Sequence, residues 1–541
     1  MNTKFYVTTP IYYVNDKPHV GSAYTTVAAD ALARAYRLRG IPTRFLTGTD
    51  ENSQKNLEAA EKVGAKDLKS YLDDMALVWQ NTWRELGITF DDFIRTTEER
   101  HHIAVEKFWR AVEQSGDIYK AAYQREYCVG CESFKTPFEI VDGRCPLHPN
   151  RPLETLKEEN YFFKASAYKD DLLKLYHDKQ DFVQPPSRQN EIRSYVKSAF
   201  EDFSISREAK KLSCGIAVPG DESQRIYVWF DALINYMSAV GYGTDDKLFA
   251  KWWPATLHLV GKDIIKFHCA LWPAMIMSAA KSDPSLRYAD GTPKLPEHIF
   301  AHGFFTIEGQ KISKSLGNAI DPLDLAKQYP FDAVRYYLLR EISFGEDGDF
   351  AVQRLSERYA SDLANNLGNL VNRSVSMSRK YFAGKIPDLN PDTTAKGLDG
   401  TIWGGADNLE GLWQTVDQYI EASRLDLVLE AIWGSDSVSL NAANKYVEQT
   451  QPFKLIKEDP VKAAVVLYTL LEACRHFAWM IEPVMPNVAA DIIRQLGQDP
   501  ETERQKGIKE LKTWGGLKPG SELPEPKILF PRLEKSDKTI Q

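Results

Sequence analysis

The sequence predicts an α/β protein: a parallel-sheet domain split by an insertion, followed by an all-α helical bundle. Three observations predict it. Strand and helix signals alternate over residues 4–116, the same alternation resumes near Ile226, and strand signals vanish beyond Asp324. The opening elements are a strand over 5–9, a helix over 23–38 with Gly40 as its stop, and a strand over 43–47 that ends at Gly48-Thr49-Asp50. Such a βαβ start is the Rossmann-type arrangement, in which functional loops sit at the carboxyl ends of strands. Near Ile118 the pattern gives way to a mixed, proline-containing region that runs to about Arg225. It resumes with Tyr227-Val228-Trp229-Phe230-Asp231, then 256–260, then 299–306 leading into a lysine loop. Helical periodicity follows over 333–342, 356–381, 409–429, 437–448 and 461–480, with a Gly/Pro/Asp-rich loop over 384–407 and a mostly irregular tail after Gly497. The expected division is 1–116 and 226–324 for the split catalytic domain, 117–225 for the insertion, 325–365 for a connecting region, and 366–541 for the bundle and tail.

Composition narrows the function classes. A chain of 541 residues exceeds what one core serves, and 43% apolar with 26% charged residues marks a globular protein. Met1-Asn2-Thr3-Lys4 runs straight into Phe5, so no signal segment is expected, and the longest nearly apolar stretch, 269–280, is too short to span a bilayer. A cytoplasmic protein with no membrane contact is therefore expected. The net charge of −8 excludes indiscriminate nucleic-acid binding, yet 67 Lys and Arg leave selective RNA contact open. Six cysteines in so long a chain are no disulfide framework. Cys128, Cys131, Cys145 and His148 instead have the C-x2-C-x13-C-x2-H spacing of a tetrahedral zinc site. With all four positions filled by protein, that metal is structural. Cys214, Cys269 and Cys474 read as ordinary buried thiols.

Two remote motifs carry the chemistry. His19-Val20-Gly21-Ser22 stands between the first strand and the first helix, where backbone N–H groups and the helix dipole favour an anion and glycine admits close approach. Lys311-Ile312-Ser313-Lys314-Ser315 is a cationic, hydroxyl-rich loop suited to neutralising a polyphosphate. Alone, the first matches chance loops and the second a solvated surface turn. Together they imply one ATP site.

These residues resemble the signature motifs of the class I aminoacyl-tRNA synthetases. Thr8-Thr9-Pro10-Ile11-Tyr12-Tyr13-Val14-Asn15, Gly48-Thr49-Asp50-Glu51, Tyr227-Val228-Trp229-Phe230-Asp231-Ala232 and Gly261-Lys262-Asp263-Ile264 narrow the likeness to the methionyl-tRNA synthetases, over essentially the whole chain. The resemblance implies activation of L-methionine by ATP and transfer to the 3′ end of tRNA(Met), initiator and elongator. It implies that His19, Gly21 and Ser22 hold the triphosphate on one side, with Lys311, Ser313, Lys314 and Ser315 on the other; His19, Lys311 and Lys314 are the catalytic candidates. Mg²⁺ accompanies the ATP, held mainly by phosphate oxygens.

Spacing bears on the methionine pocket as well. Ile264, His268 and Trp272 recur every fourth residue, and Trp229, Leu233 and Tyr236 fall at i, i+4 and i+7, so each set shares a helix face. Read alone, such stripes are core packing. By resemblance, Ile11, Tyr13, Ala232, Tyr236, Ile264 and His268 line the pocket, Trp229, Leu233 and Trp272 pack around the ligand, and Asp50 takes its ammonium. Sulfur–aromatic contacts of roughly 0.3–1.5 kcal/mol suit an unbranched thioether. Homocysteine lacks only a methyl, worth about 1–3 kcal/mol, so fit alone discriminates incompletely.

Asn369 and Arg373, at i and i+4, can reach an anticodon base from one helix face, and Phe453 stands where relatives usually carry a stacking tryptophan. Two further departures concern ATP and the ammonium: Ser22 replaces histidine, and Asp50-Glu51-Asn52-Ser53 replaces Asp-Glu-His-Gly. The alternatives are a non-catalytic tRNA-binding paralogue, which intact His19, Asp50, Lys311 and Lys314 oppose, and an adenylyl transferase without tRNA, which leaves the Asn369/Arg373 helix unexplained. No oligonucleotide-binding module of the dimerising kind follows Leu533, so a monomer is expected.

Overall fold

The computed structural model describes residues 3–131, 133–135, 140–146, 148–212, 214–307, 310–311, 320–388, 406–434 and 438–533. Two compact units emerge, one from Lys4–Pro18 with Arg44–His302, the other from His19–Thr43 with Gly303–Gln541.

The first unit holds a six-stranded parallel sheet whose order is Asp92–Arg95, Thr43–Asp50, Phe5–Tyr13, Leu257–Gly261, His298–His302, Val183–Gln184. Its strands are buried along most of their length, from Phe45 to Asp50 in the second and throughout Leu257–Gly261. That burial is why they read as short apolar runs without alternation. Tyr6, Leu46, Ile94, Val260 and Ile299 from the sheet pack in one core with Trp109, Phe230, Trp272 and Met275 from the covering helices. The edge strand Val183–Gln184 comes from the segment expected as an insertion. The rest of that segment is led by a long antiparallel ladder in which Ile118 faces Phe163 at one end and Tyr127 faces Glu154 at the other. The ladder ends at the cysteine knuckle.

Two local expectations change. Trp229, Leu233 and Tyr236 are not on one helix: Val228–Leu233 and Asn235–Ser238 are separate short helices broken at Ile234. Likewise Ile264, His268 and Trp272 are not on one α-helix. The chain runs as a 3₁₀ turn over Lys262–Ile264, a π-helix over Lys266–Leu271 and an α-helix over Trp272–Ser282. Wide turns of this sort recur where side chains must be re-aimed toward a site.

The second unit joins the helix Val20–Leu38 to a helical array that includes Phe331–Arg340, Asn369–Tyr381, Leu425–Trp433, Leu440–Thr450 and Pro460–Ile481. Pro460–Ile481 is long and apolar enough to cross a bilayer, which no run in the sequence reading reached, but 94% of its most apolar window is buried. It is a core helix of the bundle. The tail holds short helices Pro500–Gln505 and Ile508–Lys512, more order than its composition predicts.

Candidate active site

Residue His19 caps the helix Val20–Leu38 by a reciprocal pair of hydrogen bonds. Its Nδ1 accepts from the Gly21 N–H at 3.0 Å, and its own N–H donates to Ser22 Oγ at 3.0 Å. Because Nδ1 accepts, the ring proton of the neutral imidazole sits on Nε2, the atom that can donate to an anion. Glycine at 21 is a packing requirement, since a Cβ there would lie 2.8 Å from His19 Cε1. The Ser22 hydroxyl donates to His19 O at 2.8 Å, which adds to the cap.

In the same unit, the main chain of Lys311 pairs with Thr306 in a hairpin. Ser313, Lys314 and Ser315 lie outside the described residues, as does the side chain of Lys311. The Ile320 carbonyl accepts the Val20 N–H at 3.0 Å, which joins a residue five positions beyond Ser315 to the first turn of the helix that His19 caps.

The expected methionine-pocket residues all fall in the sheet unit. Ile11 and Tyr13 stand half-buried at the carboxyl end of Phe5–Tyr13, and Asp50 is the buried last residue of the neighbouring strand. Tyr236 and His268 form the best-defined contact, with Oη and Nε2 at 2.7 Å. His268 Nδ1 lies 3.1 Å from Ile264 O, an acceptor only, so Nδ1 carries the proton and Nε2 accepts from the tyrosine hydroxyl. Burial holds the His268 pKa down at about 4, keeping the ring neutral. The Tyr236 phenol is pushed above its ordinary value, by burial first, with Tyr12 and Asp50 adding to the effect. Trp229 stacks on Phe267 with centroids 3.8 Å apart and stands edge-on to His268 at 6.4 Å. Trp272, fully buried, lies 6.4 Å from Tyr236, and Ala232 and Leu233 are buried on the intervening helix. These side chains make an apolar, aromatic wall interrupted by a tyrosine–histidine pair.

Several partners were not legible beforehand. His258 packs its ring 4.2 Å from Tyr236 and sets Nδ1 2.7 Å from Thr8 Oγ1. The loop after Asp50 is clamped at every residue: Asn56 Nδ2 donates to Asp50 O at 2.8 Å, Arg95 Nε donates to Glu51 Oε1 at 2.7 Å, Asn52 Nδ2 donates to Asp231 Oδ2 at 2.7 Å, and Ser53 caps the helix Gln54–Lys62. Only the strand-end position of Asp50 signalled this cluster; its partners are scattered through the sequence.

Cys128, Cys131, Cys145 and His148 converge so that their ligand atoms all lie within 4.8 Å of one another. Cys131 Sγ is 3.5 Å from Cys145 Sγ and 3.3 Å from His148 Nδ1, near the edges of a tetrahedron whose metal–sulfur bonds are about 2.3 Å. The spacing rules out a disulfide, and all six cysteines are free thiols. Gly130 lets the imidazole in, for a Cβ there would stand 2.4 Å from His148 Cγ.

In the helical unit Asn369 and Arg373 are half-buried, one turn apart on Asn369–Tyr381. Phe453 is 42% exposed on Pro452–Glu458, a helix that packs against that one.

A nucleotide-type parallel sheet, a histidine-capped helix hydrogen-bonded at its first turn to Ile320, and a helical bundle, together with the family match that follows, define a class I aminoacyl-tRNA synthetase. The family described as tRNA synthetases class I (M) matches residues 5–151 and 135–375, and the anticodon binding domain of methionyl tRNA ligase matches 408–540. Methionine–tRNA ligases of Thermotoga maritima and Synechocystis are 44% and 42% identical over 99% and 98% of this chain, which spans 81% and 98% of theirs. The methionyl-tRNA synthetase of Mycobacterium tuberculosis bound by methionyl-adenylate superposes with a TM-score of 0.88 at 39% identity, covering 98% of this chain and 100% of that one. The chain belongs to the methionyl-tRNA synthetases.

Proposed function

We propose that the chain is a working methionine–tRNA ligase, which forms methionyl-adenylate and pyrophosphate from L-methionine and ATP and then esterifies the 3′ end of tRNA(Met), initiator and elongator. The methionine carboxylate is itself the nucleophile toward the α-phosphate, so the protein's task is alignment and charge stabilisation. In this reading Asp50 pairs with the ammonium. Ile11, Tyr13, Trp229, Ala232, Leu233, Tyr236, Ile264, His268 and Trp272 enclose the thioether. His19 Nε2 and the Gly21 turn receive the phosphates, with Lys311, Ser313, Lys314 and Ser315 opposite and Ser22 acting through the cap. Mg²⁺ is carried in by ATP and held by its phosphate oxygens. The observation that carries the reading is the Val20–Ile320 hydrogen bond, which joins a residue five positions beyond Ser315 to the helix that His19 caps.

The three-cysteine, one-histidine donor set and its tetrahedral spacing fit Zn²⁺, held by Cys128, Cys131, Cys145 and His148 as a structural ion. Asn369 and Arg373 read an anticodon base and Phe453 stacks on another. The division into 1–116, 117–225, 226–324, 325–365 and 366–541, a monomeric state and a cytoplasmic site of action complete the proposal. Methionine-dependent exchange of labelled pyrophosphate into ATP, followed by charging of a CAU-anticodon tRNA, is the test. Activity should appear in both assays and fall at least about 100-fold in kcat for Lys314→Ala with little change in methionine binding. Anticodon-dependent RNA binding without exchange would identify a non-catalytic paralogue instead.

A further inference from the structure

We propose that Asn52, Asp231 and His101 form a positioning relay that fixes the Asp50 loop to the helix carrying the thioether pocket, so that the partner of the ammonium is held in place relative to that pocket. The proposal rests on the reading above that Asp50 takes the ammonium. Asp231 lies on Val228–Leu233, between Trp229 and Ala232, and is fully buried. Each of its oxygens reaches a different element. Oδ1 is 2.6 Å from Nε2 of His101, itself fully buried on Glu99–Gln114, and Oδ2 accepts from Asn52 Nδ2 at 2.7 Å. The Asn52 amide also lies 3.2 Å from Thr96 O, and Thr96 Oγ1 accepts the Glu51 N–H at 2.8 Å. On the far side, His101 Nδ1 is 2.9 Å from Ser238 Oγ on Asn235–Ser238, the short helix that bears Tyr236.

A carboxylate buried among Trp229, Phe230, Ala232 and Leu233 is costly to desolvate, and a leucine there would satisfy packing alone. What Asp231 adds is direction. It ties the loop two residues beyond Asp50 to the pocket helix from one oxygen, and that helix to the helix Glu99–Gln114 from the other. The Glu51–Arg95 pair holds the loop against the strand Asp92–Arg95, whereas the asparagine ties the residue two beyond Asp50 to the helix Val228–Leu233. Asn52, Asp231 and His101 are positioning residues: they act through Asp50.

The experiment compares Asn52→Leu, Asn52→His and Asp50→Asn by pyrophosphate exchange. Two competitive inhibitors are added: L-methioninol, which keeps ammonium and thioether, and 4-(methylthio)butan-1-ol, which keeps only the thioether. For Asn52→Leu the methionine KM should rise about tenfold or more, with the ATP KM within about twofold, because one hydrogen bond to a buried carboxylate is lost. Inhibition by methioninol should weaken in parallel while that by the deaminated alcohol holds. Asn52→His, which keeps an N–H donor, should recover most of the loss. A general loosening of the fold would instead weaken both inhibitors and raise both KM values, and that result overturns the relay. If Asn52→Leu does not fold, Asn52→Thr carries the same comparison. Should Asp50→Asn weaken methioninol while the Asn52 variants do not, the relay falls alone. Should Asp50→Asn leave methioninol unchanged, the ammonium assignment falls and the relay with it.

Discussion

At the scale of single residues the site is built from tautomers and close approaches. The Ile264 carbonyl forces the His268 proton onto Nδ1, which makes Nε2 the acceptor for Tyr236, and burial keeps the ring neutral with a pKa of about 4. The folded pKa lies below the free value of 6.5, so as pH drops from 6.5 the unfolded chain takes a proton that the folded chain refuses. Stability from this group is therefore lost between about pH 6.5 and 4, and its charge plays no part in methionine binding at neutral pH. Thermal melts should show the stability gap between wild type and His268→Gln narrowing across that window, with the methionine KM flat from about pH 5.5 to 8. At the phosphate turn, Gly21→Ala sets a methyl against the His19 ring and should displace it from the Gly21 N–H. We expect kcat/KM for ATP to fall about 10–100-fold in pyrophosphate exchange, with the methionine KM unchanged. Both His19 and His268 were legible because each sits in a short contiguous motif or on a regular spacing. His101, Asp231 and His258 were not, since a contact between residues 101 and 231 leaves no mark on local sequence.

At the scale of elements, the strands and long helices followed from apolar runs and periodicity, whereas the pocket-bearing segments departed from regular helix. A spacing of four places Ile264, His268 and Trp272 on one face of an α-helix, but the π-turn over Lys266–Leu271 changes how that face is made. Periodicity cannot distinguish the two over six residues. The C-terminal tail shows the same limit. Its composition is polar and rich in glycine, yet 511–517 is fastened to the helix Pro460–Ile481 by one carboxylate. Glu472 accepts the N–H groups of Gly515 and Gly516 at 2.9 Å and of Leu517 at 3.1 Å, while Arg475 donates to it through Nε at 2.9 Å and to Leu511 O through Nη1 at 3.0 Å. Burial alone would raise its pKa, but the His476 and Arg475 side chains outweigh burial and hold it down to about 2, against an ordinary 4.5. With the folded pKa depressed, its stabilisation is complete above about pH 4.5 and is lost as pH falls from there toward 2. Glu472→Gln should cost about 2–4 kcal/mol at neutral pH, read by denaturant unfolding, and the difference from wild type should shrink below about pH 4.

At the scale of the whole molecule, the unit that carries the His19–Gly21 turn is also the unit that carries the helical bundle, although some 260 residues of chain separate His19–Thr43 from Gly303. In sequence, Val20–Leu38 follows the first strand directly. What draws that helix to the bundle is buried charge. Asp30, fully buried in mid-helix, meets Arg335 Nη2 at 2.7 Å and Arg34 Nε at 2.8 Å. Arg335 Nε donates to Val484 O at 2.6 Å and its Nη2 to Pro483 O at 3.1 Å, so one guanidinium joins the helix Val20–Leu38, the helix Phe331–Arg340 and the turn that follows Pro460–Ile481. A planar fork can serve three acceptors in fixed directions, and a lysine ammonium cannot. Removing it takes one ion-pair partner from the buried Asp30 and the guanidinium donors from two carbonyls, which should cost about 3–5 kcal/mol. Arg335→Met and Arg335→Lys should therefore destabilise the chain to a similar extent, as seen by chemical denaturation. They should also raise the ATP KM more than the methionine KM, because the helix that His19 caps loses its anchor while the methionine pocket lies in the other unit. Recovery of wild-type stability by Arg335→Lys would show that charge alone, and not the shape of the guanidinium, holds this helix in place.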